Sequence, residues 1–168
     1  VVEGKLLGQG WRFGADGSDK SVEHRDQALR LIARSGEGAI RGAVRQAMAI
    51  MGGQFVFAGL ANGRVVALDQ KTGELRWEQR VSVAKGSTEI ERLSDVDGSL
   101  LLDAGVLYAV GYQGKLIAVE ARSGRRLWER DLSSHTGPVE GYGNVYVADA
   151  EGSLHAFEKN GQGVIWTQ

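Results

Sequence analysis

A tryptophan that recurs at a fixed distance from an upstream glycine constrains the fold of this chain more than any other feature. The three glycine–tryptophan pairs, each separated by 14 residues, are Gly63 and Trp77, Gly114 and Trp128, and Gly152 and Trp166. An aromatic residue also stands six residues before each glycine, as Phe57, Tyr108 and Tyr146. Matching registers of this kind indicate one supersecondary unit that is repeated along the chain.

Each unit has the sequence properties of a small antiparallel sheet. Its apolar runs are short and rich in β-branched and aromatic residues, which favours strands over helices. Asn62-Gly63 suits a two-residue hairpin turn, because both central positions of such a turn need positive φ. The equivalent pairs are Gln113-Gly114 and Glu151-Gly152, with glycine expected at the more demanding position, and the next turns carry Gly73, Gly124 and Gly163. These signals predict three or four strands per unit, joined by tight turns.

Stacking of these units predicts a β-propeller. One such sheet cannot bury both of its faces, whereas radial stacking of four-stranded blades does so. The predicted fold class is therefore all-β, an incomplete propeller with about three recognisable blades within residues 48–168. We expect the recurring tryptophan to pack between adjacent blades, and a ligand-stacking platform is the alternative.

Residues 1–47 form an atypical N-terminal segment. The repeat pattern fails after Gly8, and residues 21–34 predict a weak helix with Ser21 as its N-cap. This region is therefore expected to be irregular or weakly helical. Two explanations are open, a helical insertion and a reading-frame error, and we favour the second.

Composition and motifs argue against several functional classes. The chain has no cysteine, and His24, His135 and His155 lack metal-ligand spacing, so we expect no metal site. A net charge of −1 without a basic stripe argues against nucleic-acid binding. No phosphate-binding loop, catalytic constellation or cofactor motif is visible, and no apolar run approaches 18 residues. A signal peptide is not visible either.

Residues 67–77 resemble the repeat of the pyrroloquinoline-quinone-type propellers, A-x-D-x-x-T-G-x-x-x-W. Residues 118–128 match it with Glu120 and Ser123 as substitutions, and residues 156–166 keep the ends together with Glu158 and Gly163. Enzymes and pure scaffolds share this repeat, so it does not assign a function. A quinone-cofactor dehydrogenase and a ligand-sensing propeller domain are the alternatives that it leaves open.

A narrower resemblance, over residues 40–168, is to the BamB family, the propeller lipoproteins of the outer-membrane β-barrel assembly machinery. Residues 86–97 are similar to its long inter-blade loop, and the ending 164–168 is similar to one of its blade ends. The resemblance implies a non-catalytic scaffold without a cofactor. It also implies a location at the periplasmic face of the outer membrane, through a lipid anchor missing from this chain.

The same resemblance implies a partner and a contact surface. The partner is the set of periplasmic POTRA repeats of BamA, and unfolded outer-membrane proteins are further candidate clients. The family's Asp-x-Asp pair falls on Asp95 and Asp97, and its Leu-x-Leu-Arg-Gly segment falls on Ile40 and Arg41, with Gly38 departing from the first leucine. Acidic residues predominate between residues 89 and 97, which would suit a basic partner surface. The alternative is a solvated loop.

Overall fold

In the computed structural model, which describes residues 48–60, 63–82 and 100–168, the chain consists of three separate four-stranded sheets. The atypical segment 1–47, with its predicted helix, lies outside these residues and stays a prediction. Among the described residues, no helix is long and apolar enough to cross a membrane.

The three sheets follow one another along the sequence, and we call them blades 1, 2 and 3. Blade 1 consists of β1 (Met48–Gly52), β2 (Phe55–Leu60), β3 (Arg64–Asp69) and β4 (Leu75–Arg80). Blade 2 consists of β5 (Leu101–Asp103), β6 (Val106–Val110), β7 (Lys115–Glu120) and β8 (Arg126–Asp131). Blade 3 consists of β9 (Val139–Gly141), β10 (Asn144–Ala148), β11 (Leu154–Glu158) and β12 (Val164–Thr167). Strands pair antiparallel in sequence order within each blade.

Burial explains why the strands differ in composition. The middle strands β2, β3, β6 and β7 are apolar along most of their length, because neighbouring residues are buried on both faces of the sheet. The last strands β4 and β8 carry many charged residues and are only partly buried. Charged last strands also discourage unwanted pairing with another sheet edge.

Two apolar cores join the blades. The core between blades 1 and 2 includes Phe55, Phe57, Leu107 and Ile117, and the core between blades 2 and 3 includes Tyr108, Leu116, Val145 and Phe157. Because blade 2 contributes to both cores, its sheet is buried from each side. The prediction of an all-β, incomplete propeller built from four-stranded antiparallel blades is confirmed.

The turns between the second and third strands differ from the prediction. Leu60 pairs with Arg64, so the hairpin has a three-residue loop that ends at Gly63, whose φ is 73°. A three-residue hairpin loop ends with a residue in the left-handed conformation, which here is Gly63. We expected instead a two-residue turn with Asn62 and Gly63 at its centre. In blade 2 the positive φ belongs to Gln113, at 52°, so the expectation that glycine takes it is wrong for Gly114.

Each blade has two distinct ends. The turn end carries the connections between the first and second strands and between the third and fourth strands. The crossover end carries the β2–β3, β6–β7 and β10–β11 turns, and there the chain also leaves one blade and enters the next. Ser82 and Leu100, which flank residues 83–99, both lie at the crossover end.

Candidate partner-binding surface

The recurring aromatic residues form the same cross-strand row in every blade. In blade 1, Ala67 pairs with Phe57 on one side and with Trp77 on the other, and the two rings meet above this alanine with centroids 5.8 Å apart. Blades 2 and 3 repeat this arrangement, with centroid separations of 5.8 Å for Tyr108 and Trp128 and for Tyr146 and Trp166. The small alanine side chain leaves the space above it to the two rings.

Trp77 and Trp128 lie between blades. The indole Nε1 of Trp77 donates to the Ala121 carbonyl at 3.0 Å, and Trp128 Nε1 donates to the Lys159 carbonyl at 2.9 Å. Each indole ring also lies against a glycine of the next blade, Gly124 or Gly161 respectively. The recurring tryptophan therefore joins consecutive blades through both packing and a hydrogen bond.

The glycine that occupies the turn between the third and fourth strands of blade 3 is Gly161. The sequence repeat predicted Gly163 at this position. Gly161 has a φ of 73°, close to the 74° of Gly73 and the 72° of Gly124. The amide of Gly161 donates to the carbonyl three residues before it, whereas the amides of Gly73 and Gly124 donate to the carbonyl four residues before them. Gly161 therefore comes one residue earlier in its turn. A Cβ added to Gly163 would meet only Glu158, so that glycine has no role in the packing of Trp128.

Aspartates brace two of the turns. In blade 1, Asp69 accepts backbone hydrogen bonds from Lys71 and Thr72 and a side-chain bond from Arg76 at 2.9 Å. The Arg76 guanidinium, with these two amides, lowers the pKa of Asp69 to about 2. In blade 3, Asp149 bonds to His155 at 2.7 Å, which lowers the pKa of Asp149. Both aspartates thus have structural partners.

The two residues that precede segment 83–99 are hydrogen-bonded to both blade 1 and blade 2 at the crossover end. Val81 and Ser82 donate backbone hydrogen bonds to the Gly63 carbonyl, at 2.8 and 3.1 Å, and Lys115 donates to the Val81 carbonyl at 3.0 Å. A Cβ at Gly114 would lie 2.6 Å from the Ser82 Cβ and 2.9 Å from the Val81 oxygen. Glycine is therefore needed here for close approach of blade 1 to blade 2 and not for its backbone dihedral.

The two residues that follow the same segment are buried in the cores. Leu100 is buried in the core between blades 1 and 2, and Leu101 is buried in the core between blades 2 and 3. The acidic pair Asp95 and Asp97 lies between these anchors in sequence, but both residues are outside the described part of the chain. Ile40 and Arg41 also lie outside it, so the structure does not test whether these four residues meet.

The next crossover, between blades 2 and 3, has a polar network that the sequence analysis did not identify. Ser134 is buried, and its hydroxyl donates to the Ala148 carbonyl at 2.6 Å and accepts from the Thr136 amide at 3.0 Å. This network holds the loop in which His135 stacks on Tyr112, with ring centroids 4.1 Å apart. The pair places a surface aromatic platform at the crossover end, close to the turn that contains Gly114.

Comparisons with known proteins agree with this architecture. A family model described as "Outer membrane protein assembly factor BamB" matches residues 19–168. The chain belongs to the BamB family. The BamB of Pseudomonas aeruginosa is 44% identical to this chain over 117 residues, which are 70% of this chain and 31% of that protein. The BamB of Yersinia pestis is 37% identical over 155 residues, which are 92% of this chain and 36% of that protein.

A solved BamB structure shows the same fold. The crystal structure of BamB from Moraxella catarrhalis matches with a TM-score of 0.65 and 31% identity, over 73% of this chain and 37% of that one. The resemblance to BamB predicted from residues 40–168 is thus confirmed. A quinohemoprotein alcohol dehydrogenase from Comamonas testosteroni matches with a TM-score of 0.61 but only 21% identity, over 72% of this chain and 20% of that one, which shows a shared fold alone.

The chain spans about a third of the length of the curated BamB proteins that it matches. Those proteins are named as assembly factors, and that name describes the whole of each protein. Within the residues that the structure describes, this chain forms three consecutive blades.

Proposed function

We propose that this chain is part of a non-catalytic scaffold that acts in outer-membrane β-barrel assembly and binds the periplasmic POTRA repeats of BamA. Membership of the BamB family supports the general role, because the relatives are named outer-membrane assembly factors. The same relationship supports a location at the periplasmic face of the outer membrane, held there by a lipid anchor.

The crossover end is the surface that we assign to this partner. The observation that carries the assignment is that both flanks of segment 83–99 are held at the crossover end, Val81 and Ser82 by backbone hydrogen bonds and Leu100 by burial in the core. A segment held at both ends loses less conformational entropy when it binds than a free one does. Its acidic residues, which include Asp95 and Asp97, would then face a basic surface of the partner.

Arg41 can act in either of two ways in the proposed contact. An arginine can bind a carboxylate through two parallel hydrogen bonds, so it could orient the Asp95 and Asp97 pair or bind an acidic group of the partner. Ile40 would add apolar area beside it. The chain leaves the segment that contains both residues at Met48, which also lies at the crossover end, as the start of β1.

Charge reversal tests this proposal. We expect the double variant Asp95→Arg and Asp97→Arg to bind purified BamA POTRA repeats at least about tenfold more weakly than the unmodified chain, because attraction to a basic surface becomes repulsion. Isothermal titration calorimetry of the full 168-residue chain provides the affinities.

A matched control separates this effect from the change in net charge. Glu74→Arg with Glu158→Arg alters the net charge by the same amount, but both glutamates are exposed at the turn end. We expect this control to keep its affinity to within about twofold, since the charges are distant from the proposed contact. Equal affinities of the two double variants would refute the assignment of Asp95 and Asp97.

A further inference from the structure

The face of blade 1 that points away from blade 2 is buried, and we call it the far face. Its apolar side chains alternate along β2 and β3 with those in the core between blades 1 and 2. Four of them are at most 1% exposed, namely Ala58, Leu60, Val66 and Leu68. This cluster contains side chains of blade 1 alone, whereas each of the other two cores combines side chains from two blades. Since one sheet cannot bury its own face, the far face requires a second layer.

The turn between β3 and β4 has the geometry that receives a tryptophan on the other two blades. Gly73 has a φ of 74°, compared with 72° for Gly124 and 73° for Gly161, and all three glycines are buried. The indole of Trp77 lies against Gly124, and the indole of Trp128 lies against Gly161. Gly73 thus occupies in blade 1 the position that an indole covers in blades 2 and 3.

The burial of Gly73 is not a general property of turn glycines. Four glycines with positive φ in other turns are exposed, namely Gly53, Gly105, Gly143 and Gly152. The residues on either side of Gly73, Thr72 and Glu74, are exposed as well. The turn around Gly124 has the same pattern, and there the Trp77 indole accounts for it. A ring placed on Gly73 would explain its burial in the same way.

An acceptor for an indole N–H lies in the same turn. The residue that follows the third strand is Gln70 in blade 1, Ala121 in blade 2 and Lys159 in blade 3. The carbonyls of Ala121 and Lys159 accept from the Nε1 atoms of Trp77 and Trp128. The Gln70 carbonyl accepts no hydrogen bond from any residue that the structure describes. This site therefore offers both the surface and the acceptor that a tryptophan needs.

One tryptophan of the chain is available for this site. The chain has four tryptophans, of which Trp77, Trp128 and Trp166 belong to the three described blades. The fourth is Trp11, within residues 1–47, and neither residues 61–62 nor segment 83–99 contains a tryptophan. Blade 1 itself occupies residues 48–80, so residues 1–47 are long enough to supply a layer of similar size.

We propose that residues 1–47 pack on the far face of blade 1, with the Trp11 indole against Gly73 and its Nε1 donating to the Gln70 carbonyl. Apolar side chains of residues 1–47 would then cover the far face, as neighbouring blades cover one another elsewhere in the chain. This packing requires residues 1–47 to be folded sequence, so it argues against a reading-frame error there. It does not involve Asp95 or Asp97, and it can therefore fail or hold independently of the proposed BamA contact.

NMR of the unmodified 168-residue chain tests the contact without any substitution. We expect nuclear Overhauser effects between the ring protons of Trp11 and the α-protons of Gly73, as between those of Trp128 and Gly161. The second pair is the positive control, because the structure already shows that contact. Effects for Trp128 without any between Trp11 and Gly73 overturn the proposal. Effects for Trp11 that appear only at high protein concentration assign the far face to a second copy of the chain and overturn it as well.

Two alanine variants form a crossed test of the same contact. Gly73→Ala and Gly161→Ala each add a methyl group at a turn glycine with nearly the same φ. In chains labelled with 5-fluorotryptophan, we expect Gly73→Ala to shift the fluorine resonance of Trp11 and to leave that of Trp128 in place. Gly161→Ala should do the opposite. An unshifted Trp11 resonance in a folded Gly73→Ala variant contradicts the proposal, and the measurement on the unmodified chain decides if that variant does not fold.

Discussion

Trp128→Ala is expected to lower the free energy of unfolding of this chain by about 3 kcal/mol, measured by urea denaturation. The substitution removes an indole that contacts Tyr108 and Phe157, with ring centroids 5.8 and 6.5 Å away. It also leaves the Lys159 carbonyl without the Trp128 hydrogen bond. A cavity then opens between blades 2 and 3, and rigid sheets cannot collapse fully to fill it.

Trp166→Ala is the matched control for this substitution. Trp166 occupies the same register in its blade and contacts Tyr146 at the same 5.8 Å, but it is 40% exposed. Because the Trp166 indole buries less apolar surface, we expect Trp166→Ala to lower the free energy of unfolding by under about 1 kcal/mol. Equal losses for Trp128→Ala and Trp166→Ala would show that packing between blades is not the source of the stabilisation.

Gly161→Ala has the second largest expected effect, a loss of about 2–3 kcal/mol in the free energy of unfolding. A non-glycine residue at a φ of 73° costs about 1 kcal/mol in backbone strain. The new methyl group would lie 2.5 Å from Trp128 Cδ1, so the indole would also be displaced from its position between the blades. Urea denaturation and the near-ultraviolet circular dichroism of the tryptophans report the two consequences.

Gly143→Ala separates the two contributions. Gly143 has a φ of 80°, yet no heavy atom lies within 4 Å of a Cβ placed on it. This variant should lose only the backbone cost of about 1 kcal/mol and keep its near-ultraviolet spectrum. If both alanine variants are destabilised to the same extent, the close contact between Gly161 and Trp128 contributes nothing measurable.

The fold was predictable because its signal is periodic and local. The spacing of glycine, aromatic and tryptophan residues correctly indicated four-stranded blades, and β4, β8 and β12 each contain one of the three recurring tryptophans. The details of the turns were not predictable in the same way. Gly114 is required by the approach of Ser82 from another blade, and the role of Gly161 depends on Trp128. Contacts between sheets decide such positions, and local sequence does not report them.

The candidate sites show a similar division. The acidic segment was recognisable from its own sequence. The Tyr112–His135 stack joins residues that are distant along the chain. The same is true of the bridge that the Lys159 ammonium forms to the Asp103 and Glu140 carboxylates. A signal for the bridge does exist in the repeat. When the units are aligned on their strands, Lys159 falls opposite Ala121, and a change from alanine to lysine at one repeat position indicates that two interfaces are built differently.

Hydrogen exchange of the full chain, followed by mass spectrometry with and without the BamA POTRA repeats, tests the central claim most directly. We expect added protection of backbone amides in residues 81–101 at the crossover end, since the partner would cover the segment that Ser82 and Leu100 anchor. Amides of the turn end, around Gln54, Gly105 and Arg122, should exchange at the same rate in both samples. Protection confined to the turn end, or equal exchange throughout, would contradict this account.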